Sequence, residues 1–158
     1  MTPEIVVSNS VNYTQPDSDP ETNHPRRMKQ IDAPNSNRIP LPIDEFARVL
    51  GGGVVPGSVV LIGGDPGIGK STLMLQLAAA MAAGSDTVLY VSGEESAHQI
   101  KMRAGRIQGG NIEAMNELYL VTENNLEQIM AHIQALQARI VIIDSMPLAL
   151  TRAVRGVP

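Results

Sequence analysis

Gly64-Asp65-Pro66-Gly67-Ile68-Gly69-Lys70-Ser71 fits G-x-x-x-x-G-K-[ST] and lies between a run patterned as a strand and a run patterned as a helix. Ahead of it, Ser58-Val59-Val60-Leu61-Ile62 is rich in β-branched residues and bounded by Gly57 and Gly63-Gly64, as suits a central parallel strand buried on both faces. Behind it, Leu73, Leu77, Ala80 and Met81 fall at i, i+4, i+7 and i+8, and Gly84 stands where a left-handed residue ends a helix. Strand, glycine loop and helix in this order describe a phosphate-binding loop.

The residue types follow from the ligand. A triphosphate needs several backbone N–H groups aimed inward, and the chain curls that tightly only where a Cβ is absent, here at Gly64, Gly67 and Gly69. Asp65, Pro66 and Ile68 complete the loop. A helix starting near Lys70 adds unpaired N–H groups and the positive end of its dipole. Lys70 reaches the β and γ phosphates, the Ser71 hydroxyl ligates Mg²⁺, and Thr72 lies toward the α-phosphate, so ATP with Mg²⁺ is the expected ligand pair. A glycine-rich turn with a chance lysine is the competing reading, and the matched flanks disfavour it.

Composition narrows the remaining classes. A chain of 158 residues predicts one domain with a real core. Apolar residues make up 43%, and no run approaches a membrane span; residues 73–83 are too short and are interrupted by Gln76. No secretory pattern is visible, and a chain without cysteine has neither disulfides nor thiolate metal sites, so a cytoplasmic setting is expected. The formal charge of -4 gives no global electrostatic footprint for nucleic acid. His24, His98 and His132 have no metal-ligand spacing, and the last two fall on polar helix faces.

Residues 1–42 are polar, broken by prolines and without sustained period, and are expected to be disordered; Arg26-Arg27-Met28-Lys29 is their basic cluster. A short capped helix is predicted from Ile43, with Phe46, Val49 and Leu50 on one face and Asp44 and Glu45 in its first turn. Thr87-Val88-Leu89-Tyr90-Val91-Ser92 is a second buried strand, ending in Gly93-Glu94-Glu95 at what would be the ligand edge of a parallel sheet. Glu94 or Glu95 there can orient and deprotonate a water aimed at the γ-phosphate. Ser96 with Gln99 also forms a capping box ahead of Ala97, Ile100, Ala104 and Ile107, so Glu95 is equally explained as an acidic residue at a helix N-terminus.

Leu118-Tyr119-Leu120-Val121 is a third strand, and Asn124 or Asn125 caps a helix carrying Leu126, Ile129, Met130, Ile133 and Leu136 as its apolar face. Arg139-Ile140-Val141-Ile142-Ile143-Asp144-Ser145 is a strand ending in Asp, a Walker B pattern whose carboxylate holds the Mg²⁺ water shell beside the loop hydroxyl. The competing reading is an Asp that merely opens a turn.

The stretch from Ile43 to Ser58, the GGDPGIGKST loop, LYVSGEES and VIIDS together resemble the bacterial RadA (Sms) family of DNA repair proteins, from about Arg38 to Leu148. The resemblance implies an α/β P-loop NTPase of RecA type, with a mostly parallel sheet flanked by helices. It also implies Mg²⁺-dependent ATP hydrolysis, homo-oligomeric assembly on single-stranded or branched DNA, and processing or branch migration of recombination intermediates. Residue by residue, it implies Lys70 and Ser71 in the nucleotide site, Asp144 as Walker B, Glu94 as the water-activating glutamate and Glu95 beside it.

The departures from that family also set expectations. The family begins with a four-cysteine zinc finger, and no zinc module is expected from this cysteine-free sequence. Ala47 replaces a usual Asp, Leu41-Pro42 a Thr-Gly pair, and Met146-Pro147 an Ile-Gln pair. The domains expected are a Pro-rich segment over 1–42, a partial RecA-type core over 43–150 and an irregular tail over 151–158. The core is expected to be truncated after the Walker B strand, leaving the Walker A and Walker B strands without the ladder partner that RecA-type sheets place between them. Two functional readings follow: a DNA-dependent ATPase of recombinational repair, or a fragment of such an ATPase that binds nucleotide without turnover.

Overall fold

The computed structural model describes residues 5–8, 27–30, 38–107 and 115–145, and the chain divides into two compact units, residues 1–65 and 66–158.

In the first unit, β1 (Ile5–Ser8) pairs antiparallel with β2 (Val59–Ile62), setting Ile5 opposite Ile62 and Ser8 opposite Val59. This differs from the central parallel strand expected at 58–62. Val59 and Leu61 are 51% and 61% exposed, so β2 alternates instead of burying both faces. Burial on both faces requires parallel neighbours with helices above and below, whereas an antiparallel pair leaves one face to solvent. β1 itself lies in the segment expected to be disordered; Ile5-Val6-Val7 is a β-branched run among prolines, and Met28–Gln30 forms a single 3-10 turn.

The rest of this unit is a small packed lobe. Ile39 and Val54 exchange backbone hydrogen bonds of 2.8 and 3.0 Å, and the Arg38 guanidinium donates to the carbonyls of Leu50 and Gly53. α1 (Asp44–Val49) buries Phe46, and Ile39, Leu41 and Leu50 are buried as well. Asp44 and Glu45 occupy its first turn as expected, but the N-cap is Ile43, which has no side-chain oxygen to bond the helix start. Gly53 has φ +146, and a Cβ there would stand 2.4 Å from the Ile39 carbonyl oxygen, so the close approach of the two segments requires glycine.

The second unit is built on a three-stranded parallel sheet of order β4-β3-β5, with β3 (Val88–Ser92) central, β4 (Leu118–Thr122) on one side and β5 (Ile140–Asp144) on the other. Register aligns Ser92 with Thr122 and Asp144, which places all three strands' carboxyl ends on one edge. Among the described residues β5 has a single ladder neighbour, β3. α2 (Lys70–Ala83) precedes β3, α3 (Ala97–Ala104) leads toward β4, and α4 (Leu126–Leu136) links β4 to β5.

Alternation along the strands divides their side chains between two layers. On one face Leu89, Val91, Val121 and Val141 pack against Ile129, Ile133 and Leu136 of α4. Tyr90, Ser92 and Asp144 fall on the opposite face, where α2 contacts all three strands. Ile129 is fully buried at the centre of its layer, and Ile129→Ala is expected to lower unfolding stability by about 2–5 kcal/mol in a denaturant titration. Leu126 and Met130, expected on the apolar face of α4, are instead largely exposed, because the inward stripe runs through Ile129, Ile133 and Leu136.

The helix ends refine the expected signals. Ser96 and Gln99 form the reciprocal capping box of α3, and Asn125, not Asn124, caps α4 by accepting from the N–H groups of Glu127 and Gln128. Gly84 keeps a negative φ of -83°, and the left-handed residue that turns the chain out of α2 is Ser85 at φ 72°. No helix among the described residues is long and apolar enough to cross a membrane.

Candidate active site

The loop from Gly64 to Gly69 is exposed and passes directly into α2, whose first residue is Lys70. Gly69 is the N-cap at φ +98, and Gly67 has φ +79; no atom lies within 4 Å of a Cβ added at either, so backbone conformation and not crowding calls for glycine. The cap glycine offers no side-chain oxygen to the start of the helix, and Lys70, Ser71 and Thr72 form its first turn. Lys70 and Ser71 are half-buried and Thr72 is exposed.

The Ser71 hydroxyl donates to Asp144 Oδ1 at 2.8 Å, joining the start of α2 to the carboxyl end of β5 across 73 residues of sequence. Asp144 is 11% exposed, so its charge sits largely out of water and depends on its partners. Its other oxygen, Oδ2, accepts the Tyr90 hydroxyl, and Arg103 Nη2 stands 3.6 Å from it. Arg103 Nη1 donates to Glu95 Oε1 at 2.8 Å. The Nε and Nη2 groups of Arg103 are buried and make no hydrogen bond among the described residues.

Tyr90 is fully buried, and burial first, then the hydrogen bond to Asp144, pushes its phenol far above the ordinary tyrosine range. It therefore remains a donor to Asp144 at any physiological pH.

The two glutamates after β3 have different surroundings. Glu95 is half-buried, its backbone N–H donates to Ser92 Oγ at 3.1 Å, and its carboxylate is held by Arg103. Glu94 is exposed, and its carboxylate makes no hydrogen bond or ion pair among the described residues. Both stand at the carboxyl edge of the sheet, on the side of the strands where Asp144 also ends.

Ser71 and Asp144 bring two hard oxygen donors together, while no three His, Cys, Asp or Glu side chains converge among the described residues. That donor set fits Mg²⁺, which takes one or two protein oxygens and completes its octahedron with water and phosphate. His98 and His132 are both exposed, on α3 and α4 respectively.

Residues 25–154 match the family described as the AAA domain. The chain belongs to that family. As an AAA domain chain it is an α/β P-loop NTPase core, a parallel three-stranded sheet flanked by helices. It is similar to DNA repair protein RadA of Streptococcus pneumoniae, 48% identical over 137 residues, covering 87% of this chain and 31% of that protein. It is likewise similar to DNA repair protein RadA of Mycobacterium tuberculosis, 41% identical over 154 residues, covering 98% of this chain and 32% of that protein. The resemblance read from the motifs is thus borne out, and the chain spans less than a third of the length of these relatives.

Two residues that the structure sets against Asp144, Tyr90 and Arg103, escaped the sequence reading. Tyr90 reads as one more apolar position in a buried strand, although its alternation with Ser92 already puts it on the face of Asp144. Arg103 follows the N-cap Ser96 by seven residues, two helical turns, which sets it in the last turn of α3 on the same helix face as the N-cap, from where its long side chain reaches Glu95. Met146-Pro147 and the tail 151–158 lie outside the described residues.

Proposed function

We propose that this chain binds ATP with Mg²⁺ through residues 64–72 and Asp144, and hydrolyses it as a DNA-dependent ATPase of recombinational repair. The observation that carries the reading is the 2.8 Å contact between Ser71 and Asp144, which joins the loop hydroxyl to the Walker B carboxylate. The backbone N–H groups of Gly67 and Gly69 and the first turn of α2 orient the phosphates. Lys70 neutralises charge on the β and γ phosphates, and Thr72 contacts the α-phosphate side. Ser71 and Asp144 would hold Mg²⁺, which when bound offsets charge developing on the transferred phosphoryl group.

Glu94 orients the attacking water and accepts its proton, because it is the exposed carboxylate of the pair; Glu95, engaged by Arg103, supports from beside it. Single-stranded or branched DNA as the stimulating partner, homo-oligomeric assembly, action on recombination intermediates and a cytoplasmic setting belong to the same proposal. They rest on similarity to proteins named for DNA repair.

A second reading, nucleotide binding without turnover, draws on the ladders: β2 pairs antiparallel with β1, and β5 has one neighbour among the described residues. Steady-state ATP hydrolysis by the purified chain, with and without single-stranded DNA, separates the two. Turnover raised by DNA supports the ATPase, and ATP binding with no turnover in either condition supports the second reading.

A further inference from the structure

We propose that Tyr90 and Arg103 are positioning residues that hold Oδ2 of Asp144, so that Oδ1 alone is presented to Ser71 and to the divalent cation. The proposal rests on the reading of Ser71 and Asp144 as the cation site and adds what fixes the carboxylate there.

A carboxylate at a strand tip can rotate and offer either oxygen, and a metal site gains affinity when a second layer of groups removes that freedom. Tyr90 supplies the fixed point. Its side chain is fully buried on the central strand, and its hydroxyl donates to Oδ2. The register sets Tyr90 opposite Ile142, two residues before Asp144 on the same strand face, so the ring and the carboxylate belong to one layer of the sheet.

Arg103 supplies charge at the same oxygen, with Nη2 3.6 Å from Oδ2. The guanidinium keeps that position through its 2.8 Å bond to Glu95, since neither Nε nor Nη2 makes a hydrogen bond of its own among the described residues. Glu95 is then the tether of Arg103, which ties the glutamate pair after β3 to the Walker B strand through one arginine. Ser71 holds Oδ1 at 2.8 Å. With Oδ2 occupied by a phenol and a cation, Oδ1 is the oxygen left to face a metal.

The test is Mn²⁺ binding in the presence of ATP, followed by electron paramagnetic resonance on the full chain. ATP affinity in EDTA is measured beside it as the readout that contains no metal. Tyr90→Phe keeps the ring and removes the hydroxyl; Arg103→Gln removes the charge from a partly exposed side chain. Each is expected to weaken Mn²⁺ binding by about 10- to 100-fold while ATP affinity in EDTA stays within about twofold. Arg103→Lys, which keeps a cation without the planar fork, is expected to recover part of the loss. If Tyr90→Phe does not fold, Arg103→Gln decides alone.

Wild-type Mn²⁺ affinity in Arg103→Gln, or in folded Tyr90→Phe, overturns the proposal, as does an equal loss of ATP affinity in EDTA, which marks a general structural role. Asp144→Asn separates the layers. If it leaves Mn²⁺ binding unchanged, the reading of Asp144 as a cation residue fails and the proposal falls with it. If it abolishes binding while the Tyr90 and Arg103 variants do not weaken it, only the positioning role is lost.

Discussion

Glu94→Gln is expected to bind ATP as tightly as the wild-type chain and to hydrolyse it about 10²- to 10⁴-fold more slowly, the usual contribution of a positioned general base. The amide keeps the size of the side chain and can still hydrogen-bond a water, but it cannot take the proton. Glu94 is exposed and makes no ion pair among the described residues, so the exchange disturbs no packing. The neighbouring Glu95→Gln is the informative contrast. Its carboxylate is bonded to Arg103, so that change loosens the arginine beside Asp144 and is expected to act through Mg²⁺ dependence more than through loss of a base. Rapid-quench measurement of single-turnover hydrolysis checks both. A chemical step in Glu94→Gln that matches wild type, with Glu95→Gln inactive, would exchange the two roles.

Lys70→Ala is expected to weaken ATP binding and to reduce turnover by about 10²- to 10³-fold, the scale seen when one preorganised donor to developing charge is removed. Lys70 opens α2 directly after Gly69, so in the proposed site its ammonium would act with the helix N-terminus on the same phosphates. The substitution leaves α2 intact, because alanine is the best helix former and the residue is not in the buried core. Far-UV circular dichroism should therefore keep its helical signal while equilibrium binding of a fluorescent ATP analogue falls. Retained affinity with wild-type turnover would remove the loop from the site.

The difference between what the sequence made legible and what it concealed follows from the range of the interactions. The helix start at Lys70, the capping box at Ser96, the asparagine cap of α4 and the buried strand β3 rest on neighbours within a few residues, and each of these forms as read. Asp144 was legible because its strand is a run of apolar residues ending in one carboxylate. Its partners were not, because Ser71, Tyr90 and Arg103 meet it only through the registers of β3 and β5 and the length of α3.

The main misreading has the same origin. Ser58-Val59-Val60-Leu61-Ile62 has the composition of a doubly buried strand, but composition does not name the ladder partner, and pairing with β1 leaves Val59 and Leu61 exposed. Prolines hid β1 in turn, since they dominate the composition of residues 1–42 without touching Ile5-Val6-Val7. At the end of α2, Gly84 is the obvious residue for a positive φ, yet the hydrogen bonds from Gly84 and Ser85 to Met81 and Ala82 place that turn one residue later.

Isothermal titration of ATP into the purified chain, once with Mg²⁺ and once with EDTA, tests the central claim most directly. A site built from residues 64–72 and completed by Asp144 predicts one ATP per chain, bound more tightly with Mg²⁺ than without it. Absence of binding, or an affinity indifferent to Mg²⁺, would contradict the account.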